Sequence, residues 1–124
     1  MKYCKYHIIW ITKYRKKYLY GKIKSCINKY LFIKAKQLNI VIENLEIMPE
    51  HIHLFISIPT TICISKVVSG LKGYSSYYTR KKLNLYNYTY FWSKGYFCES
   101  VGHISEKTIK NYINNQWVHY KIHP

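Results

Sequence analysis

Residues 40–59 read Ile40-Val-Ile-Glu-Asn-Leu-Glu-Ile-Met48-Pro49-Glu50-His51-Ile52-His53-Leu54-Phe55-Ile56-Ser57-Ile58-Pro59. Two apolar runs are separated by Pro49, and a second proline ends the latter run. Proline cannot donate to a β-ladder, so it marks strand ends. Ile40–Met48 and the run after Pro49 therefore predict a β-hairpin with a short connection. Period two in the second strand puts Ile52, Leu54, Ile56 and Ile58 on one face, and His51, His53, Phe55 and Ser57 on the other. The aliphatic face needs a core. The other face presents two imidazoles with Cα atoms about 6–7 Å apart, a spacing that can grip one metal ion.

Working outward, Tyr3–Lys13 is rich in Ile, Trp and Tyr and predicts a buried strand running into a basic tract. From Lys22 to Leu38, the residues Ile23, Ile27, Tyr30, Leu31, Ala35 and Leu38 recur at helical spacing, with lysines outside. Beyond Pro59, Thr60-Thr61 can cap a helix whose inner stripe is Ile64, Val67, Val68, Leu71, Ser75 and Tyr78. Gly70 and Gly73 within it suggest close packing or a kink. Leu83–Phe91 reads as an Asn- and Tyr-rich loop. Trp92–Val101 reads as a last strand, interrupted at Gly95 and ended by Gly102. Ser105 can cap a final helix, with Glu106 at its positive end and Ile109, Tyr112, Ile113, Gln116, Trp117 and Tyr120 on or beside one face. The order is β-α-β-β-α-β plus a helix. This predicts an α+β, ferredoxin-like fold in one domain spanning 1–124.

Charge narrows the partner. Twenty Lys and Arg face five acids, all glutamate, for a formal charge of +15. Such an excess repels itself without a polyanion, so nucleic acid is the expected partner and an anionic membrane surface a distant second. Fifteen tyrosines are interleaved with the lysines. That mixture suits single strands, whose bases stack on rings while cations follow phosphates. The expected contacts are Lys13, Arg15 and Lys16 in the first basic tract, and Lys72, Tyr74, Arg80 and Lys81 on the second helix. No apolar run approaches the ~18–20 residues of a membrane span, and no leader-like cleavage pattern is visible, which predicts a cytoplasmic protein. Cys4, Cys26, Cys63 and Cys98 form no C-x-x-C pair, so a zinc ribbon is not expected.

His51 and His53 alone leave a metal site incomplete, because a hard divalent cation takes about six ligands, mostly oxygen. The chain has no aspartate. Glu50 adjoins the pair but would point to the opposite face of an ideal strand. On the last helix Tyr112 and Gln116 are four residues apart, neighbours on one face about 6 Å along the axis. They are a candidate nucleophile and a candidate third ligand. Equally, spacing alone allows Tyr112 to be a core-edge ring and Gln116 a solvent residue. His7, His103, His119 and His123 are expected at the surface or at DNA rather than on a metal.

Four blocks nevertheless resemble the single-tyrosine HUH transposases (TnpA type) of the smallest bacterial and archaeal insertion sequences. They are Tyr6-His7-Ile8-Ile9-Trp10-Ile11-Thr12-Lys13-Tyr14-Arg15, Pro49-Glu50-His51-Ile52-His53-Leu54 and Leu71-Lys72-Gly73-Tyr74-Ser75-Ser76. The last is Trp92–Phe97 with Ser100-Val101-Gly102 and Ser105-Glu106, leading into Tyr112-Ile113 and Gln116. The resemblance implies His51, His53 and Gln116 as ligands of Mg²⁺ or Mn²⁺, and Tyr112 as the nucleophile. It also implies cleavage and rejoining of single-stranded DNA through a 5′-phosphotyrosine, recognition of hairpins near the element ends, and a homodimer whose subunits share active sites. Tyr77 and Tyr78 depart from the basic or aliphatic residues usual there. Three other readings remain open: an HUH replication initiator or relaxase, a non-catalytic module binding single-stranded nucleic acid, and a metal-dependent phosphoesterase with no covalent step.

Overall fold

Nine consecutive residues, Tyr3–Ile11, form strand β1, which lies inside a four-stranded antiparallel sheet in the order Val41–Ile47 (β2), His51–Pro59 (β3), β1 and Phe97–Ser100 (β4). In the computed structural model, which describes residues 2–87, 91–100, 111, 113 and 114, the other elements follow in chain order. They are α1 (Gly21–Gln37), β2 (Val41–Ile47), β3 (His51–Pro59), α2 (Ile64–Leu83) and β4 (Phe97–Ser100). This is the expected ferredoxin-like order, with the hairpin β2-β3 at one side of the sheet. The β1–β3 register runs unbroken from Tyr3 opposite Pro59 to Ile11 opposite His51. The β2–β3 ladder is interrupted between Ile42 and Asn44 by a bulge.

Both helices pack on the aliphatic face. Ile8 and Trp10 of β1 join Ile52, Leu54, Ile56 and Ile58 of β3 in one cluster. Ile27, Leu31 and Ala35 of α1 and Val67, Val68 and Leu71 of α2 close it. Burying each such aliphatic side chain contributes about 1.5–3 kcal/mol. Central β1 is also covered on its other face, where Ile9 and Ile11 are fully buried. Edge strand β2 instead alternates between exposed and half-buried residues.

Gly70 is one point of close approach. A Cβ built there would lie 3.3 Å from both Leu38 Cδ1 and Lys34 Cε. Gly73 has open space, so close packing applies to the first glycine and not to the second. Asparagines stop both helices. Asn39, just beyond α1, and Asn84, the C-cap of α2, have φ of 58° and 56°, a left-handed conformation that asparagine tolerates.

Three local expectations are corrected. Thr60 and Thr61 form a turn rather than the cap of α2, which begins after Cys63 with no side-chain cap. Tyr78 is partly exposed, its ring against those of Tyr30 and Tyr74, and Thr79, four residues after buried Ser75, takes the inner position. The last strand begins at Phe97 rather than Trp92. Trp92 makes only an isolated bridge with Thr12, and the carbonyls of Ser93 and Gly95 are taken by Lys72. The expected final helix lies mostly outside the described residues, of which Asn111, Ile113 and Asn114 are helical. Among the described residues no helix is long and apolar enough to cross a membrane.

Candidate active site

Antiparallel partners share a face, so the register lists the neighbours of the histidine pair. On β1, Ile11, Ile9 and His7 oppose His51, His53 and Phe55. On β2, Glu46 opposes His53 and Asn44 opposes Phe55. On β4, Phe97 and Glu99 oppose Ile9 and His7. The face away from the helices thus carries three imidazoles and the carboxylates of Glu46 and Glu99 around a buried Ile9–Ile11 patch, and Ser57 on the same face donates to Glu43 Oε1 at 2.9 Å.

His51 is held by its sequence neighbour. Its Nδ1 lies 2.8 Å from Glu50 Oε1, with the two side chains only 15% and 14% exposed. This corrects the expected orientation of Glu50. Strand β3 starts at His51, so Glu50 sits in the bend before it and escapes the alternation that would have turned it away. A carboxylate on Nδ1 fixes the ring and leaves Nε2 for another partner, the usual arrangement behind a metal-ligating histidine.

His53 is positioned from β1. Its Nε2 lies 3.4 Å from His7 Nδ1, and the His7 ring stacks on Phe55 at 4.8 Å between centroids. Burial lowers the pKa of His53. Glu46 opposes that shift, while His7 and His51 reinforce it. His53 is therefore neutral at pH 7, as a metal ligand must be. His7 was expected only at the surface or at DNA, but it stands half-buried against the pair. Its alternation with Ile9 was readable in the sequence. That β1 lies beside β3 in this register was not.

These donors suit a divalent cation, since neutral imidazoles and nearby carboxylates are common ligands. Among the described residues, however, no group of three or more His, Cys, Asp or Glu side chains is close enough to hold one. The described face is a two-imidazole grip needing another donor. Tyr112 and Gln116 lie outside the described residues, as do His103, His119 and His123.

A strained turn abuts the pair. After β1, Thr12 donates its N–H to Glu50 O at 2.9 Å and its hydroxyl to Lys16 O at 2.6 Å. Lys13 N–H donates to Phe91 O at 3.0 Å, and Arg15 N–H to Thr12 O at 2.9 Å. Tyr14 and Arg15 have φ of 58° and 54°. Left-handed backbone costs a residue with a Cβ about 1–2 kcal/mol, so the hydrogen bonds around the turn offset a real penalty. Arg15 Nη1 also donates to Asn114 Oδ1 at 2.9 Å.

The expected DNA contacts fall into two places. Lys13, Arg15 and Lys16 belong to this turn, where the Lys13 and Lys16 ammonium groups lie 5.0 and 6.0 Å from the Tyr14 ring centre. Tyr74, Arg80 and Lys81 belong to α2, in the helix layer on the opposite side of the sheet. There Tyr74 packs with Tyr78 and Tyr30, and Lys34 and Lys81 lie over Tyr74 and Tyr77. Arg80 Nε donates to Ser76 O at 3.1 Å within its own helix. Lys72 is turned inward and donates to Ser93 O at 2.7 Å and Gly95 O at 2.9 Å, and burial lowers its pKa to about 8.

Comparison with known proteins bears on this face. The model of the IS200-like transposase family matches residues 1–116. The chain is 32% identical over 117 residues to the transposase for insertion sequence element IS200 of Salmonella typhimurium, covering 91% of this chain and 76% of that one. It is 30% identical over 116 residues to the ISDra2 transposase TnpA of Deinococcus radiodurans, covering 90% and 82%. The crystal structure of a protein from Deinococcus radiodurans R1 superposes with a TM-score of 0.85 at 27% identity, over 94% of this chain and 92% of that one. A REP-associated tyrosine transposase, solved bound to a REP hairpin, shares the fold with a TM-score of 0.63 at 12% identity, over 92% and 69%. The chain belongs to the IS200-like transposase family.

Proposed function

We propose that this transposase cuts and rejoins single-stranded DNA at insertion-sequence ends with Tyr112 as nucleophile, and that His51, His53 and Gln116 hold Mg²⁺ or Mn²⁺. The observation that carries this reading is the two-imidazole face: His51 is oriented through Nδ1 by Glu50, and His53 is kept neutral by burial. Two donors are too few for a hard cation, which is why a third from the Tyr112 segment is part of the reading. A bound divalent cation would supply Lewis-acid polarisation of the scissile phosphate.

The rest of the chemistry belongs to the chain and its substrate. A tyrosine phenol is ordinarily neutral at pH 7, so that of Tyr112 gives up its proton as its oxygen attacks phosphorus. The bond from phosphorus to the 3′ oxygen breaks, and that oxygen leaves as a 3′-hydroxyl after taking up a proton. A 5′-phosphotyrosine remains, and the 3′-hydroxyl of another strand reverses the exchange. One phosphodiester is traded for another, so rejoining needs no nucleotide cofactor. The +15 charge draws in the strand, with Lys13, Arg15 and Lys16 beside the site and Tyr74, Arg80 and Lys81 on the helix layer as contacts. Lys72, expected in that contact set, instead braces the 93–95 loop, its ammonium held inward by Ser93 O and Gly95 O. The REP-associated relative was solved with a hairpin, which supports recognition of subterminal hairpins by this chain. A homodimer sharing active sites, working in a prokaryotic cytoplasm at the nucleoid, completes the reading.

The test uses the full chain with a 5′- or 3′-labelled single-stranded hairpin and Mg²⁺ or Mn²⁺, followed by denaturing gels. A covalent protein–DNA adduct is expected, lost in Tyr112→Phe while DNA binding survives. An adduct in Tyr112→Phe would exclude Tyr112 as nucleophile. Cleavage without any adduct would make the protein a phosphoesterase.

A further inference from the structure

We propose that Phe55, His7 and Lys5 form a stacking platform for a nucleobase of the single strand, on the sheet face next to the histidine pair. The proposal rests on the reading that this face handles single-stranded DNA, and it holds whichever subunit supplies the tyrosine. Phe55 follows His53 by two positions on β3, so it shares that face about 6–7 Å farther along the strand. His7 opposes it on β1. The two rings are stacked, 4.8 Å between centroids and 18° apart in plane, and Lys5 Nζ lies 5.9 Å from the Phe55 ring centre. His7 also reaches back, its Nδ1 3.4 Å from His53 Nε2, so the platform and the metal grip are in contact.

The core does not account for Phe55. It lies under the other face of β3, where Ile52, Leu54, Ile56 and Ile58 are buried. Phe55 and His7 are half-buried, and Lys5 is exposed. A ring half open to water beside a cation offers a base one π-face and its phosphate one charge. β3 and β1 are the two inner strands of the sheet and pair without interruption from Tyr3 to Ile11, so the floor under the rings is rigid. Aromatic rings on a four-stranded sheet are how one common class of nucleic-acid-binding module stacks two or three splayed bases. Charge orients the strand. Glu46 opposes His53 and Glu99 opposes His7 on the flanking strands, and Ser57 donates to Glu43 at 2.9 Å. These carboxylates repel phosphates, so the strand turns its base inward and its phosphates outward, with Lys5 beside the ring to meet one. The amide of exposed Asn44, opposite Phe55, offers a donor and an acceptor to the base edge.

The experiment measures affinity by anisotropy, with the full chain and a labelled hairpin carrying a single-stranded thymidine flank. The flank is made abasic at one position at a time, which removes a base and keeps every phosphate. In wild type, one flank position is expected to cost about tenfold when abasic. Phe55→Leu, which keeps an apolar side chain in place, should lose about tenfold on the intact flank and nothing further at that position. Phe55→Trp should restore both the affinity and the sensitivity. Lys5→Gln should weaken intact and abasic strands alike and lower the salt slope by about one. Wild-type affinity in Phe55→Leu, or a loss equal on intact and abasic flanks, would overturn the platform. So would a dimer, followed by light scattering, that dissociates on Phe55→Leu, since the ring would then belong to a contact with a second copy. A wild-type protein that forms no covalent adduct would overturn the cleavage reading instead, a result read in a separate assay.

Discussion

Glu50→Ala removes one carboxylate and leaves the backbone around it in place. The Glu50 carbonyl still accepts from Thr12 N–H, and the ladder of β3 begins only at the next residue. What is lost is the 2.8 Å contact to His51 Nδ1, between side chains 14% and 15% exposed. A hydrogen bond involving a charged group is worth about 1.5–3 kcal/mol net. At about 1.4 kcal/mol per factor of ten, that loss is about 10–100-fold if the bond is needed to present His51 Nε2. The same range is typical for removing the partner behind a metal-ligating histidine. The assay is calorimetric titration of the full chain with Mn²⁺ at neutral pH. Glu50→Ala should weaken binding by that factor, and Glu50→Gln, which keeps an acceptor of the same shape without its charge, should fall between. If Glu50→Ala binds Mn²⁺ within about twofold of wild type, the carboxylate does not orient a ligand, and the reading of His51 fails with it.

Leu31 is fully buried between the helices and the sheet, so Leu31→Ala should cost about 2–5 kcal/mol in urea unfolding; a loss under about 1 kcal/mol would mean the α1 face is not core. Burial lowers the Lys72 pKa from 10.5 to about 8, so between those values the unfolded chain binds more protons on this residue. Wild-type stability should therefore rise relative to Lys72→Met as pH increases through that window, and a constant difference across it would refute the shift. Tyr77, half-exposed among the rings and lysines of α2, should weaken single-strand binding by about 1 kcal/mol or more when changed to Ala if bases stack there. Wild-type affinity should also fall linearly with log salt, and a flat response would remove the electrostatic basis of binding.

Much of this molecule is written locally in the chain. Alternation along residues 51–58 assigns the faces of β3 because successive side chains of any strand point oppositely. The β-α-β-β-α-β succession was enough for the ferredoxin-like fold class, since short connections leave few ways to pack two helices on one face. The +15 charge and interleaved tyrosines implied a nucleic-acid partner without any structure. Tyr112 and Gln116 are still carried by sequence pattern and family alone. Where an element ends was less legible. Thr60-Thr61 looks like a helix cap and Trp92 like a strand start, yet distant partners decide both: Thr60 N–H donates to Lys2 O, and the Lys72 ammonium takes the carbonyls of Ser93 and Gly95. Tertiary structure alone decided that Glu50 turns back onto His51, that His7 stands beside His53, and that Arg15 reaches Asn114. Each depends on a strand boundary, a register between distant strands or a strained turn. Those are set by packing between segments far apart in the chain, which no local periodicity encodes.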